Sequence, residues 1–183
     1  MIRLQPISTA DTQHYAFMEK LLVTAFPPEE YRELQNLREY TDQVNHFHNN
    51  IIFDNDASIG LLTYWNFEQF YYVEHFAIDP SQRNGGYGEK TLQHVCQRLQ
   101  RPIVLEVEAP IEEMAQRRIN FYKRHGFVLW ENEYQQPPYR ASDAFLPMHL
   151  MIYGSLEPNR DFIEVKQRIY HEVYNVRIEW KER

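Results

Sequence analysis

The chain has 183 residues, 43% hydrophobic and 25% charged, which suits one soluble domain with a substantial core. Its net charge of −7 argues against a polyanion such as nucleic acid as partner and mildly favours a cationic one. No apolar run approaches the ~20 residues of a membrane span, residues 1–9 carry no signal pattern, and the single cysteine excludes an intrachain disulfide, so a cytoplasmic location is the default.

Partial alternation at Ile2 and Leu4 predicts a strand over 1–7. Ser8, Thr9 and Asp11 offer N-caps for a helix whose inward face is His14, Met18, Leu21, Leu22 and Ala25. Pro27-Pro28 stops it. A second helix is predicted over 28–40, started by Pro28, Glu29 and Glu30. Strands follow at 49–53, 58–65 and 70–78, with a turn at 54–57, and their short links predict an antiparallel meander.

Three of the six glycines then fall at 85, 86 and 88. A helix reaching about residue 100 follows, with Leu92, Val95, Cys96 and Leu99 on one face, and then a strand over 103–108. Strand, helix, strand here predicts a parallel crossover. Ile111, Met114, Ala115, Ile119 and Tyr122 share a face of another helix, ended at Gly126. A strand at 127–131, a polar loop at 132–143, a strand at 145–153 and a last helix at 158–174 complete the chain. The reading is one domain over 1–183, with 158–183 as a C-terminal helical extension.

A strand, a glycine loop and a helix in that order aim backbone N–H groups at one spot by a helix N-terminus, which suits a phosphate. A plain glycine turn is the alternative reading of the loop alone. The spacing does not fit Gly-x-Gly-x-x-Gly, and the loop follows a meander instead of opening a first βαβ unit. Gly88-Glu89-Lys90 does not supply a Walker ending.

Two stretches together resemble the GNAT superfamily of acyl-CoA-dependent N-acetyltransferases. Arg83-Asn84-Gly85-Gly86-Tyr87-Gly88 is similar to its pyrophosphate loop, Gln/Arg-x-x-Gly-x-Gly/Ala, and Tyr122-Lys123-Arg124-His125-Gly126-Phe127 is similar to the Tyr-x-x-x-Gly-Phe of its next motif. The element order matches over nearly the whole chain and is weakest over 159–183. The resemblance implies an α/β fold of GNAT type, with a mixed, mostly antiparallel central sheet and helices on both faces. It implies acetyl-CoA as cosubstrate, its pyrophosphate held by backbone N–H groups of Arg83, Asn84, Gly85, Gly86, Tyr87 and Gly88. The strand leading into the loop would splay from the following strand. Its pantetheine arm would pair with main chain at Phe76, Ala77 and Ile78, where one N–H would polarise the thioester carbonyl.

The implied reaction moves an acetyl group to a primary amine of a small molecule or peptide, by direct attack in a ternary complex, in a monomer or homodimer. A non-catalytic acyl-CoA-binding or sensing domain is the alternative. An ammonium must lose a proton before attack. Glu74 is the candidate base, provided it faces the acceptor cleft; facing a helix, it would be a buried carboxylate needing a partner, and His75 is the second candidate, with a packed core histidine as its alternative reading. On a regular strand Glu74, Phe76 and Ile78 share one face, opposite His75 and Ala77. Tyr122 matches the family tyrosine that protonates the leaving thiolate. The asparagine that many members carry seven residues earlier is replaced by Ala115, so that pantetheine contact is not carried over. Glu106 and Glu108 alternate along their strand and are candidates for a cationic acceptor; Tyr139 and Arg140 could cover its pocket. Cys96 reads as a core residue. His46-x-His48 has no supporting cluster, and no metal is expected.

Overall fold

The computed structural model describes residues 1–83 and 85–177. The chain forms two compact units, Met1–Leu105 and the residues from Glu106 onward, and the division falls within one strand.

The first unit opens with strand β1 (Ile2–Pro6) and helix α1 (Thr12–Ala25). Asp11 caps α1 by accepting the His14 N–H at 3.2 Å. The predicted second helix does not start at Pro28. A 3-10 turn takes Pro28–Glu30, and α2 begins only at Leu34 and runs to Gln43. Between them Tyr31 is extended, and Tyr31 and Arg32 are both buried. Drawing these two side chains inward costs the helix its first turn.

Strands β2 (Phe47–Asp54), β3 (Ala57–Asn66) and β4 (Tyr71–Ile78) form the expected meander, each longer than or close to its predicted span. The β2–β3 turn passes through Asn55 at φ 53, a conformation asparagine tolerates. Helix α3 (Tyr87–Arg98) follows the glycine loop, and strand β5 (Ile103–Glu108) pairs in parallel with β4. The strand order of this unit is β1-β2-β3-β4-β5, antiparallel except for that last pair. Helix α1 packs on β3 and β4, α2 on β2, and α3 on β1 and β4. Met18, Leu22, Ile51, Ile52 and Leu61 have essentially no exposed surface and centre its core.

The second unit holds the Glu106–Glu108 end of β5, helix α4 (Glu113–Arg124) and strands β6 (Val128–Leu129), β7 (Tyr134–Gln136) and β8 (Leu146–Tyr153). It closes with helix α5 (Pro158–Glu172). Its strand order is β5-β8-β6, with β7 also on β8. The sheet is therefore mixed and mostly antiparallel, as expected. Two spans differ from the sequence reading. The strand predicted at 127–131 shrinks to two paired residues, with Val128 exposed, although the Trp130 N–H still reaches the Leu150 carbonyl at 2.8 Å. The polar loop at 132–143 contains β7, whose alternation buries Tyr134 and Gln136. Helix α5 turns Phe162, Val165 and Ile169 inward, as its periodicity predicts. The part of the predicted C-terminal extension at 178–183 lies outside the described residues.

Candidate acyl-transfer site

The site is built on an irregularity in β4. Thr63 faces His75 across the β3–β4 ladder, and Tyr64 faces Val73, so Glu74 is an extra residue with no opposite number. Such a bulge bends its strand and breaks the side-chain alternation. The expectation that Glu74 and His75 face opposite sides is corrected here: both reach the segment joining α1 to α2. The His75 Nε2–H donates to the Glu30 carbonyl at 2.8 Å, and its ring lies edge-on to Phe26. That tautomer leaves Nδ1 to accept from the Thr63 hydroxyl at 3.2 Å, while the same hydroxyl accepts the His75 backbone N–H at 3.1 Å. The Thr63 side chain thus satisfies an amide that the bulge has shifted out of register. Burial pushes the His75 pKa down, so its ring stays neutral.

Glu74 carries an ion pair. Its Oε1 lies 2.6 Å from an Arg32 guanidinium nitrogen, and its Oε2 accepts the Trp65 indole N–H at 2.6 Å. The side chains are 6% and 1% exposed for Arg32 and Glu74 respectively. The guanidinium also stacks 4.2 Å from the Tyr40 ring centroid. This is the arrangement in which the sequence reading gives up the base role: a buried carboxylate with a partner. Arg32 and Trp65 were not among the candidates. Arg32 lies 42 residues from Glu74, and no local pattern marks an arginine that turns inward; Trp65 lies on the neighbouring strand β3.

Beyond the bulge, the β4–β5 ladder ends at Val73 opposite Leu105. The Asp79 N–H reaches the Ile59 carbonyl on β3 at 2.9 Å, and the His75 N–H also points to β3. Successive strand amides alternate, so the N–H groups of Phe76 and Ile78 point to the opposite edge, where pairing with β5 has ceased. Phe76, Ala77 and Ile78 are all half-buried. The β3 strand approaches closely here: a Cβ on Gly60 would sit 2.4 Å from the Ala77 carbonyl oxygen. Gly60→Ala is therefore expected to push β4 outward, costing about 1–3 kcal/mol of stability. It should also weaken acetyl-CoA binding, read by calorimetry beside a thermal melt; a variant that melts and binds like the parent would contradict this.

The strand runs into a 3-10 turn, Pro80–Gln82, capped by Asp79, which accepts from the Ser81 N–H at 2.8 Å. The Arg83 N–H bonds the Pro80 carbonyl at 3.3 Å, so that amide belongs to the turn. Asn84 lies outside the described residues. Gly86 takes φ 69, ψ 16, a left-handed conformation suited to glycine, and caps α3 without a side chain. The helix geometry leaves the N–H groups of Tyr87 and Gly88 without intrahelical acceptors. The ring of Tyr87 folds back on Gly85, where a Cβ would meet it at 2.6 Å. Lys90, not singled out in the sequence, donates to the Gly85 carbonyl at 3.2 Å and adds positive charge to the loop. This row of amides at the positive end of a 12-residue helix fits a pyrophosphate.

In the second unit, the Tyr-x-x-x-Gly-Phe stretch is a helix C-cap. The Gly126 N–H bonds the Lys123 carbonyl at 3.1 Å and the Phe127 N–H bonds the Tyr122 carbonyl at 3.2 Å, with Gly126 at φ 86. The Tyr122 and Phe127 rings then meet at 5.4 Å. The motif locks Tyr122 in place, and burial pushes its hydroxyl pKa up to about 12. Ala115, on the same helix, is buried.

Glu106 and Glu108 have different surroundings. Glu108 makes an exposed ion pair with Arg118 at 3.2 Å. Glu106 accepts hydrogen bonds from the Tyr134 hydroxyl and, at 2.8 Å, from the Tyr174 hydroxyl. In the 132–143 segment, the Tyr139 ring lies 4.9 Å from that of Tyr174, and Arg140 lies 3.8 Å from Asp143. Cys96 is half-buried, its thiol pushed up to about 11 by desolvation. Among the described residues no group of three or more His, Cys, Asp and Glu is arranged to hold a metal ion, and no helix is long and apolar enough to cross a membrane.

Comparison with known proteins agrees with this geometry. The profile of the acetyltransferase (GNAT) family matches residues 14–127. A GNAT-family acetyltransferase structure from Bacteroides thetaiotaomicron is 62% identical, with a TM-score of 0.94 over 96% of this chain and 99% of that one. The ribosomal-protein-S18-alanine N-acetyltransferase of Escherichia coli shares the fold at 18% identity and a TM-score of 0.57, over 87% of this chain and 98% of that one. So does a GNAT-family acetyltransferase from Elizabethkingia anophelis with acetyl-CoA bound, at 12% identity and a TM-score of 0.55, over 84% and 98%. A search of the curated proteins finds no significant match. The chain belongs to the GNAT family of acetyltransferases and is an enzyme of that class.

Proposed function

We propose that this enzyme transfers the acetyl group of acetyl-CoA to a primary amine by direct attack in a ternary complex. The observation that carries the reading is the end of β4: a strand edge released by its neighbour runs straight into a row of helix N-terminal amides. The edge amides of Phe76 and Ile78 suit the pantetheine arm. The amides of Gly85, Gly86, Tyr87 and Gly88 suit the pyrophosphate, with Lys90 beside them and the Arg83 side chain at the start of the loop. Acetyl-CoA is bound to the Elizabethkingia relative, which shares this fold.

The neutral amine nitrogen attacks the thioester carbonyl carbon. A β4 amide stabilises the oxyanion. The C–S bond then breaks, the departing sulfur takes the Tyr122 hydroxyl proton, a role carried by the motif match, and the proton shed by the newly bonded nitrogen returns to the Tyr122 oxygen through water. The proton lost by the ammonium passes to water, because the Glu74 carboxylate is committed to Arg32 and Trp65. Glu74 in this reading positions the bulge and is not the base. With its thiol raised and half-buried, Cys96 is poorly suited to a covalent acyl-enzyme.

Calorimetric titration with acetyl-CoA, followed by a primary-amine panel scored by free thiol release, tests the reading. Saturable binding with amine-dependent release is expected. Absence of acetyl-CoA binding overturns it, and binding without turnover on any amine points to a binding module.

A further inference from the structure

Between the end of α1 at Ala25 and the start of α2 at Leu34 the chain makes a single 3-10 turn. Pro27 and Pro28 bring no N–H to it, so main-chain bonding does little to hold this stretch. Three ties run from it to the β4 bulge. The His75 Nε2–H donates to the Glu30 carbonyl at 2.8 Å, the Phe26 ring lies edge-on to the His75 ring at 4.8 Å, and Arg32 pairs with Glu74. Two of the three fall on His75. Its side chain is buried, and the Thr63 hydroxyl on Nδ1 fixes the tautomer that aims Nε2–H at the segment.

The segment lies on the face of the sheet opposite α3. Thr63 and Trp65 point to the α1–α2 side, where the Trp65 ring meets Tyr40 of α2 at 5.9 Å. Tyr64 between them points the other way and meets Tyr71, over which Arg101, just past α3, lies at 4.3 Å. The glycine loop and α3 thus serve the acyl donor from one face, while the 26–33 segment covers the bulge from the other. An attacking amine must reach the thioester carbon from a side the donor leaves open. A wall that is loose beforehand has to be ordered by the acceptor as it binds, and that lowers the acceptor's affinity.

We propose that His75 is a positioning residue for the acceptor: through the Glu30 carbonyl it holds residues 26–32 in the shape that receives the amine. The inference rests on the acetyl-CoA-to-amine reading above.

The test uses the full chain at saturating acetyl-CoA with n-butylamine, phenethylamine and the tripeptide Ala-Ala-Ala as acceptors, and follows amide hydrogen exchange over 26–32. His75→Asn can still accept from Thr63 but falls short of Glu30; His75→Gln reaches Glu30 with an amide N–H. For the best of the three amines, His75→Asn should raise KM by about 3- to 10-fold, the worth of one hydrogen bond, with kcat within about twofold and acetyl-CoA affinity preserved. Exchange over 26–32 should quicken. His75→Gln should return both readouts toward the parent. Phe26→Leu, which keeps His75 and removes the ring beside it, should move both in the same direction as His75→Asn and serves if that variant does not fold. Unchanged exchange or an unchanged amine KM in His75→Asn overturns the inference. So does an equal KM rise in His75→Gln, since the lost donor is then not the cause. A loss confined to kcat overturns it by making His75 a base, and a loss of acetyl-CoA affinity overturns it by placing His75 on the donor side. A parent that binds no acetyl-CoA, or acetylates none of the three amines, is instead the failure of the underlying reading.

Discussion

Arg32→Met should lower the melting temperature by about 6–20 °C, the largest stability effect expected of a single change outside the apolar core. Removing one partner of a buried ion pair costs about 3–5 kcal/mol, because the other charge stays behind in a place that does not solvate it. A chain of this length loses about 2–4 °C per kcal/mol. The remaining Glu74 would keep the Trp65 indole N–H but lose its countercharge, with its side chain 1% exposed. The lost stacking on Tyr40 adds to the cost, although the methionine stem recovers part of it.

The double variant Arg32→Met/Glu74→Gln separates positioning from chemistry. A glutamine can still accept from Trp65, and no buried charge remains, so the double variant should melt well above Arg32→Met alone. A coupling of about 1–3 kcal/mol in the cycle is expected. The amides of Phe76 and Ile78 lie just beyond the bulge, so acetyl-CoA affinity should fall in Arg32→Met and return in the double variant. If Glu74 were instead the base, the double variant would stay inactive however well it folded. Restored turnover in the double variant assigns Glu74 to position and leaves deprotonation to water.

What the sequence disclosed divides along physical lines. Periodicity marked α1, α3, α4 and α5 and the three meander strands, because an apolar face must repeat with its element. The glycine loop and the Gly126-Phe127 cap were legible because left-handed backbone at Gly86 and Gly126 leaves a residue signature. The bulge was not. An extra residue in a strand changes no composition, yet it reverses the side from which every earlier residue must be counted. That single slip turned His75 and Glu74 to the same segment. The ion pair joins residues 42 apart and the Tyr174–Glu106 bond residues 68 apart, separations that no local window spans. Strand β7 was hidden by Pro137-Pro138 and a polar run, although Tyr134 and Gln136 alternate correctly.

Tyr122→Phe should reduce kcat by about 10²-fold or more while leaving acetyl-CoA affinity and the melting temperature nearly unchanged. The ring makes the packing: Phe121 and Phe127 meet it at 5.3 and 5.4 Å, and phenylalanine keeps both contacts. Only the hydroxyl is lost, and with it the proton for the departing sulfur. Because burial raises its pKa to about 12, the hydroxyl stays protonated through neutral and mildly alkaline pH and would ionise only as the pH climbs toward that value. The ratio of parent to variant kcat should therefore be flat with pH across the accessible range, and any limb set by the ammonium acceptor should appear in both enzymes. The deficit should also shrink with acyl donors whose leaving group is more stable as an anion, since those need the proton least. A Tyr122→Phe enzyme with the parent's turnover would reduce the residue to a cap-locked core aromatic. A deficit indifferent to the leaving group would place its hydroxyl in binding and not in proton transfer.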